Sequence, residues 1–123
     1  MRVLLDTHIV LWTVANSREL SSHYRGILTD PSNEIFVSSV TIAEIAIKSS
    51  VGKLTSPDEL ADIAPVSGFS DLEFSKFHAE ALKDLPMIHR DTFDRMLIAQ
   101  AMVEGIAFAT VDPRCRQYPI MTV

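Results

Sequence analysis

Residues 2–14, RVLLDTHIVLWTV, join a short run of apolar residues directly to a helix-like apolar pattern. The run from residue 2 to residue 6 predicts a buried strand that ends at Asp6. Thr7 is the predicted cap of the helix that follows, whose apolar positions begin at Ile9. A buried strand that passes at once into a helix is the first half of a βαβ unit, which favours an α/β protein.

The same alternation of strands and helices continues along the chain. Further strands are predicted at 34–37, about 72–74, 106–109 and, briefly, 120–122. Further helices are predicted from Ser22 to about Leu28, from Thr41 to just before Gly52, from Ser56 to about Gly68, from Ser75 to about Asp84, and from about Thr92 to Glu104. Right-handed βαβ units follow from this order, so we expect one α/β domain, residues 1–123, with a parallel sheet covered on both faces.

The composition limits the class of protein. Hydrophobic residues make up 47% of the chain and charged residues 22%, as in an ordinary globular protein, and no apolar run is long enough to span a membrane. The net charge of -5 disfavours a module that binds nucleic acid by phosphate neutralisation alone. Asp6 and His8 interrupt the N-terminal apolar stretch, which argues against a secretory signal. A lone Cys115 cannot form an internal disulfide, so we expect a cytoplasmic protein.

Four carboxylates stand at the ends of predicted elements: Asp6, Glu44, Asp94 and Asp112. If the strands form one parallel sheet, these acids converge at the edge where the strands end. Like charges a few Å apart need raised pKa values or a cation between them. A hard divalent ion held by carboxylates is suited to phosphodiester chemistry, so this pattern predicts a metal-dependent site.

Each acid also has an ordinary structural explanation. Asp6 could cap a helix, Glu44 could complete a capping box with Thr41, and Asp112 precedes Pro113 as a turn initiator would. Asp94 lies in the first helical turn, where the helix dipole favours an acid. Four independent caps, however, have no reason to agree on one edge of a sheet.

Neighbouring residues could support the acids or contact a substrate. Hydroxyls of Thr7 and Thr110 could orient Asp6 and Asp112. Four basic side chains are candidates for RNA contacts: Lys48, Arg90, Arg95 and Arg114. For Lys48, an ion pair with Glu44 one helical turn earlier is the preferred interpretation.

The histidines and the cysteine have no catalytic pattern. His8 and His89 lack a partner at fixed spacing, which favours a structural or rim role for each. No histidine is expected near Cys115, so a Cys–His nucleophile is not predicted.

Four stretches together resemble a known family: LLDTH at 4–8, SSVTIAEI at 38–45, HRDTFDRMLIAQA at 89–101 and TVDP at 110–113. Over its whole length the chain is similar to the PIN-domain nucleases, and within them to the VapC-type toxins of toxin–antitoxin pairs. The resemblance implies a PIN-like, Rossmann-like α/β/α sandwich in three layers around a central, mainly parallel sheet of four or five strands. Thr92 stands where relatives usually have proline, and Ala43 where many have tryptophan.

The resemblance also implies a site and partners. The metal-binding, catalytic acids of the family fall on Asp6, Glu44, Asp94 and Asp112, and Asp91 resembles an additional acid. The implied cofactor is Mg²⁺ or Mn²⁺, the substrate is RNA, and the partners are a second copy of the chain and a small antitoxin that covers the active-site groove.

We therefore expect a metal-dependent endoribonuclease, the toxin of a type II toxin–antitoxin system, that hydrolyses phosphodiester bonds by metal-activated water. The alternative is a catalytically silent, metal-binding interaction module of PIN-like or receiver-like type. A receiver needs a lysine beyond a late strand, whereas Lys76 and Lys83 follow no apolar strand. A phosphatase of the haloacid-dehalogenase type needs an acid two residues after Asp6, where this chain has His8.

Overall fold

A computed structural model describes all of residues 1–123 and contains four strands and six α-helices. The strands are β1 (Arg2–Leu5), β2 (Glu34–Ser38), β3 (Ser70–Leu72) and β4 (Ala107–Ala109). The helices are α1 (Thr7–Val14), α2 (Ser22–Thr29), α3 (Ser39–Ser50), α4 (Ile63–Ser67), α5 (Lys76–Ala81) and α6 (Thr92–Glu104). Single 3₁₀ turns occupy Leu60–Asp62, Leu82–Asp84 and Cys115–Gln117. None of these helices has both the length and the apolar character that crossing a membrane requires.

The strands form one parallel sheet in the order β3-β2-β1-β4. In the centre of the sheet, Leu4 lies opposite Phe36 on one side and Phe108 on the other. The strand predicted at 120–122 is reduced to an isolated parallel bridge between Thr122 and Phe108. The sheet therefore has four strands, the smaller of the two predicted numbers.

Alternating side chains of β1 enter two separate cores, one on each face of the sheet. Val3 and Leu5 pack in a cluster with residues of α1 and α2, including Ile9. Leu4 points to the other face and packs in a cluster with α6, including Leu97. A strand places successive side chains on opposite faces, so a strand that is apolar throughout needs helices on both sides. The predicted three-layer α/β/α architecture is confirmed.

Two predicted helix starts are wrong by one or two residues. The N-cap of α1 is Asp6, and Thr7 is already the first helical residue. Helix α3 begins at Ser39 because the hydroxyl of Ser38 accepts a hydrogen bond from the backbone N–H of Val40. Glu44 consequently lies inside α3 rather than at its start, and the predicted capping box does not form.

The segment from residue 56 to residue 72 departs further from the prediction. Ser56 and Pro57 do not begin a helix, since helical structure starts only at Leu60, after Glu59 with a left-handed φ of 53°. The predicted end at Gly68 is confirmed. The next strand, β3, lies two residues earlier than predicted.

The helix ends that follow strong capping signals are where the sequence places them. Ser21 caps α2, and Ser75 caps α5 in a reciprocal box with His78. Asp91 caps α6 by accepting from the backbone N–H of Asp94, and Gly105, with φ of 64°, ends the same helix. The position of Asp94 in the first turn of α6 is therefore set by local sequence.

Candidate active site

The four predicted acids lie at the carboxyl edge of the sheet. Asp6 follows β1 directly, α3 with Glu44 follows β2, and Asp112 follows β4. Helix α6 leads into the amino end of β4, so its first turn, with Asp94, lies at the opposite, carboxyl edge. Ligand sites of open parallel sheets form beyond this edge.

Asp6 is buried, with 3% of its surface exposed, and has both a hydroxyl donor and another acid as neighbours. Thr110 Oγ1 donates a hydrogen bond of 2.6 Å to Asp6 Oδ2. Burial raises the pKa of Asp6 to about 6, the Thr110 hydrogen bond opposes this rise, and the negative charge of Asp94 adds to it. Asp6 is therefore a carboxylate whose ionised form folding disfavours unless positive charge lies nearby.

Asp94 is held by contacts at both its backbone and its side chain. Its N–H donates to Asp91 Oδ1 at 2.9 Å, and its Oδ2 lies 3.0 Å from Nε2 of His89. Burial raises the pKa of Asp94, the hydrogen bond to His89 opposes the rise, and the charges of Asp91 and Glu44 add to it. Asp6 and Glu44 are thus both electrostatic neighbours of Asp94.

Glu44 has one satisfied and one unsatisfied oxygen. Its Oε2 accepts from the ammonium group of Lys48, so the predicted ion pair is present. Its Oε1 is buried and has no hydrogen-bond partner. An unpaired buried carboxylate oxygen costs about 1–3 kcal/mol or more. A cation or a water molecule that serves a cation would remove this cost.

Asp112 differs from the other three acids because it has a guanidinium partner. Its two carboxylate oxygens accept hydrogen bonds from the side chain of Arg114 at 3.2 and 2.8 Å. These hydrogen bonds and the charge of Arg114 lower the pKa of Asp112. The backbone N–H of Asp112 also donates to Thr110 Oγ1, so Thr110 connects Asp112 to Asp6.

The acids do not form a tight ligand cluster. No three of Asp6, Glu44, Asp94 and Asp112 have oxygens within 4.8 Å of one another. The one group of three histidine, cysteine or acidic side chains whose ligand atoms are that close is His89, Asp94 and Cys115. A cation at this edge would therefore contact at most two of the four acids directly without side-chain movement and reach the others through water. The donor set nevertheless fits a hard divalent ion, because the oxygens are carboxylates and one is an orphan.

The expectation that no histidine lies near Cys115 is wrong. Cys115 Sγ is 3.9 Å from His89 Nε2, because the turn after β4 folds back onto the segment before α6. The thiol is buried, burial raises its pKa, and neighbouring carboxylates raise it further. Since the thiolate is the nucleophile, this environment leaves Cys115 unreactive despite the histidine.

Thr7 does not contact a carboxylate through its hydroxyl. Its Oγ1 lies 3.1 Å from Oγ1 of Thr41, so the two hydroxyls pair with each other between α1 and α3. Of the two threonines predicted to orient acids, only Thr110 makes a side-chain hydrogen bond to one.

Three of the four candidate RNA-contacting side chains already have protein partners. Lys48 pairs with Glu44, Arg114 pairs with Asp112, and Arg95 donates to the carbonyl of Pro86 and to Tyr118 Oη. Arg90 is exposed and forms no side-chain hydrogen bond or ion pair. A cleft of about 390 Å³ beside the start of α6 is lined by Leu82, Met87, Arg90, Thr92 and Arg95.

Sequence reasoning missed the contacts of His89 with the site. The ring is buried and links Asp94 to Tyr118, whose hydroxyl lies 2.8 Å from Nδ1. One signal was available, because His89 precedes the N-cap of α6 by two residues and Asp94 by five. Nothing in the sequence indicated Tyr118, which lies 29 positions from His89.

The Lys48–Glu44 pair gives a first prediction. Lys48→Met leaves both oxygens of buried Glu44 without a donor, so we expect metal-free protein to lose about 1–3 kcal/mol of stability, or several degrees in melting temperature. Lys53→Met, which removes the same charge from an exposed side chain without an ion pair, is the matched control. Thermal unfolding of both variants in the presence of a chelator measures the difference. Equal melting temperatures of Lys48→Met and Lys53→Met would contradict the prediction.

Comparison with known proteins identifies the fold. The family model of the PIN domain matches residues 3–120. A chain of the VapBC2 structure from Rickettsia felis bound to a promoter DNA fragment has a TM-score of 0.73 at 17% identity, covering 100% of this chain and 98% of that one. A chain of DNA-bound VapBC from Salmonella typhimurium gives 0.71 at 18% identity, with coverages of 100% and 97%. A chain of a toxin–antitoxin complex from Klebsiella pneumoniae gives 0.66 at 20% identity, with coverages of 98% and 95%. No curated protein sequence matches significantly.

Proposed function

This chain belongs to the PIN domain family, and we propose that it is a divalent-metal-dependent endoribonuclease that acts as the toxin of a type II toxin–antitoxin pair. The observation that supports the proposal is that two buried carboxylates, Asp6 and Glu44, and the half-buried Asp94 come from three separate elements to one edge of the sheet. Asp6 follows β1, Glu44 lies in α3 and Asp94 lies in the first turn of α6, and Glu44 Oε1 has no protein partner. Folding alone gives no reason to bury two carboxylates at the same edge of the sheet as a third.

Asp6 and Asp94 are the residues we assign to hold the cation directly. Burial raises the pKa of both, and the charge of Asp94 raises that of Asp6, as expected of two carboxylates that need a shared counter-ion. Glu44 and Asp112 would complete the site through water or hold a second ion. When bound, Mg²⁺ or Mn²⁺ lowers the pKa of a water molecule and stabilises the charge that develops on the phosphate.

The remaining residues orient these acids and admit the substrate. Thr110 fixes one oxygen of Asp6, and Asp91 fixes the backbone at Asp94. Arg90, exposed in the cleft beside α6, is the side chain we assign to a phosphate of the RNA, because it is free of protein partners. Arg95 lines the same cleft, but Arg95 and Arg114 would both first have to leave their present partners to contact RNA.

We assign the partners by analogy with the structural relatives, which are complexes of toxins with antitoxins. A small antitoxin that covers the groove would suppress cleavage, and the toxin would act in the cytoplasm as a homodimer. The alternative, a silent metal-binding module, shares the acids but makes no cut.

The experiment that tests the proposed function measures cleavage and product ends. We expect purified protein with Mg²⁺ or Mn²⁺ to cut single-stranded or loop RNA, and a chelator to abolish cutting. Hydrolysis by activated water leaves a 5′ phosphate and a 3′ hydroxyl, whereas a metal-independent ribonuclease leaves a cyclic phosphate. End-labelled RNA distinguishes these products. Metal binding without any cut across a panel of structured RNAs would favour the silent module.

A further inference from the structure

A chain of hydrogen bonds through His89 and Tyr118 ends on one oxygen of Asp94. Arg95 Nη1 donates to Tyr118 Oη at 2.9 Å, Tyr118 Oη lies 2.8 Å from His89 Nδ1, and His89 Nε2 lies 3.0 Å from Asp94 Oδ2. The guanidinium of Arg95 also lies 5.9 Å above the Tyr118 ring. The three N···O distances of 2.9, 2.8 and 3.0 Å are those of well-formed hydrogen bonds.

The donors of this chain run in one direction. Arg95 has only N–H donors, so the Tyr118 oxygen accepts from it. The single hydroxyl hydrogen of Tyr118 can point at His89 Nδ1, 2.8 Å away, or at the backbone carbonyl of His89, 3.4 Å away, and the shorter distance favours Nδ1 as the acceptor. With Nδ1 as acceptor, the neutral imidazole carries its hydrogen on Nε2, where it donates to Asp94 Oδ2.

The ring is held in this orientation from several sides. The His89 side chain is 4% exposed, and its own backbone N–H lies 3.3 Å from the same Tyr118 hydroxyl. Asp94 Oδ2 is thereby committed to His89, while Asp94 Oδ1 has no hydrogen bond to protein. A carboxylate with one oxygen tied back and the other free is prepared to bind a cation through the free oxygen.

We propose that His89 is a positioning residue for the metal site: it fixes the rotamer of Asp94 through Nε2–H, and Tyr118 and Arg95 fix the ring. This inference rests on the proposed function, since it assumes that Asp94 binds a divalent ion. The expected role is to raise metal affinity, because the free carboxylate no longer has to be ordered when the ion binds. Outer partners of metal ligands are typically worth about 10–100-fold in affinity.

A different interpretation of the same residues must be separated from this one. Cys115 Sγ lies 3.9 Å from His89 Nε2, so His89, Asp94 and Cys115 could instead form a thiolate site. In that case His89 would ligate the ion through Nε2 and would not donate to Asp94. Removing Cys115 distinguishes the two arrangements, because the positioning chain does not use the thiol.

The test compares Mn²⁺ dissociation constants, measured from the electron paramagnetic resonance of the free ion, across four proteins: wild type, His89→Ala, His89→Gln and Cys115→Ala. We expect His89→Ala to weaken binding by about 10–100-fold. His89→Gln should bind within about threefold of wild type, because its amide N–H can replace Nε2–H. Cys115→Ala is the matched control, since it removes a buried group beside the ring and should leave affinity unchanged. At saturating Mn²⁺, His89→Ala should regain most of its cleavage rate.

Each outcome separates the inference from the function on which it rests. A wild-type protein that binds no Mn²⁺ ends the proposed function itself. Equal Mn²⁺ affinities of wild type and His89→Ala overturn the inference and leave the proposed function standing. A loss of Mn²⁺ affinity in Cys115→Ala overturns the inference in favour of the thiolate site.

If His89→Ala does not fold, Tyr118→Phe takes its place, because it removes the hydroxyl that holds the ring and should weaken Mn²⁺ binding by at least about threefold. An unchanged Mn²⁺ affinity in Tyr118→Phe overturns the inference. Nitrogen-15 spectra of the metal-free protein should show the hydrogen of the neutral ring on Nε2, and a neutral ring with its hydrogen on Nδ1 would also overturn it.

Discussion

Asp94→Asn is expected to reduce the rate of RNA cleavage by at least about 1,000-fold at saturating Mg²⁺, and Asp6→Asn should do the same. A neutral amide removes half of the negative charge that these two residues offer a cation. Loss of about 4 kcal/mol of charge stabilisation in the transition state corresponds to about three orders of magnitude in rate. The fold should survive both changes, because asparagine keeps the size of the side chain.

The control for this prediction is Asp71→Asn, which removes the same charge from an exposed aspartate of β3 that has no side-chain partner. Its cleavage rate should equal that of wild type. Rates are measured on one labelled RNA with all proteins purified in parallel. Residual cutting at the same level in wild type and both site variants would show that a contaminating nuclease makes the cuts, and the assignment of these acids would be withdrawn.

Metal-free protein should lose stability as the pH rises from about 4 to above 6, and Asp6 should account for much of the loss. The folded state raises the pKa of Asp6 from 3.8 to about 6, mainly through burial. Between these values the folded state holds a proton that the unfolded chain has released, so protonation stabilises the fold below this window and deprotonation destabilises it above. A shift of about two pKa units corresponds to about 3 kcal/mol. Asp94 contributes in the same direction.

Urea unfolding in chelator at pH 5 and pH 8 measures this effect. Asp6→Asn should flatten the pH dependence between these two values by about 1.4 kcal/mol, because the rest of the effect lies below pH 5, and it should be more stable than wild type at pH 8. Asp30 and Asp112, whose pKa values are lowered by hydrogen bonds from Ser32 and Arg114, act in the opposite direction only at pH below about 4. All other side chains are the same in both proteins, so the difference between their pH profiles isolates Asp6. Identical pH profiles of the two proteins would refute the prediction that burial raises the pKa of Asp6.

The two largest predictions set catalytic activity against stability at the same residue, Asp6. The carboxylate that cleavage requires is the one that burial penalises, so the variant that loses activity should gain stability. Millimolar Mg²⁺ should restore the stability of wild type at pH 8 and have a smaller effect on Asp6→Asn, because a ligand that binds only the folded state stabilises it by mass action.

Elements with strong local signals could be predicted from the sequence. The strand before Asp6 and the helix from Thr92 to Glu104, with Asp91 as cap and Gly105 after its end, have the predicted bounds within a residue. The helix expected from Ser56 fails because its start rested on a Ser–Pro signal alone, without an apolar stripe to hold residues 57–59 against the sheet. Local signals are reliable where the conformational preference of the backbone and the packing of the apolar side chains favour the same structure.

Pairings between distant residues could not be predicted. Arg114 neutralises Asp112, which no spacing rule distinguishes from a free acid in a turn. Thr110 reaches Asp6 across 104 positions, and His89 reaches Tyr118 across 29. The exposed fraction of Asp6, and with it the pKa, depends on how α6 and the turn after β4 cover the edge of the sheet.

The sequence by itself determined that strands alternate with helices, that the sheet is parallel, and that Asp6, Glu44, Asp94 and Asp112 fall near its carboxyl edge. These properties follow from hydrophobic periodicity and capping, which act over a few residues. Only the tertiary structure decided which acids remain unpaired, which hydroxyl and which imidazole hold them, and that no three lie within direct reach of one ion. Hydrogen bonds and charge interactions depend on distances of a few Å between side chains that the chain brings together only when it folds.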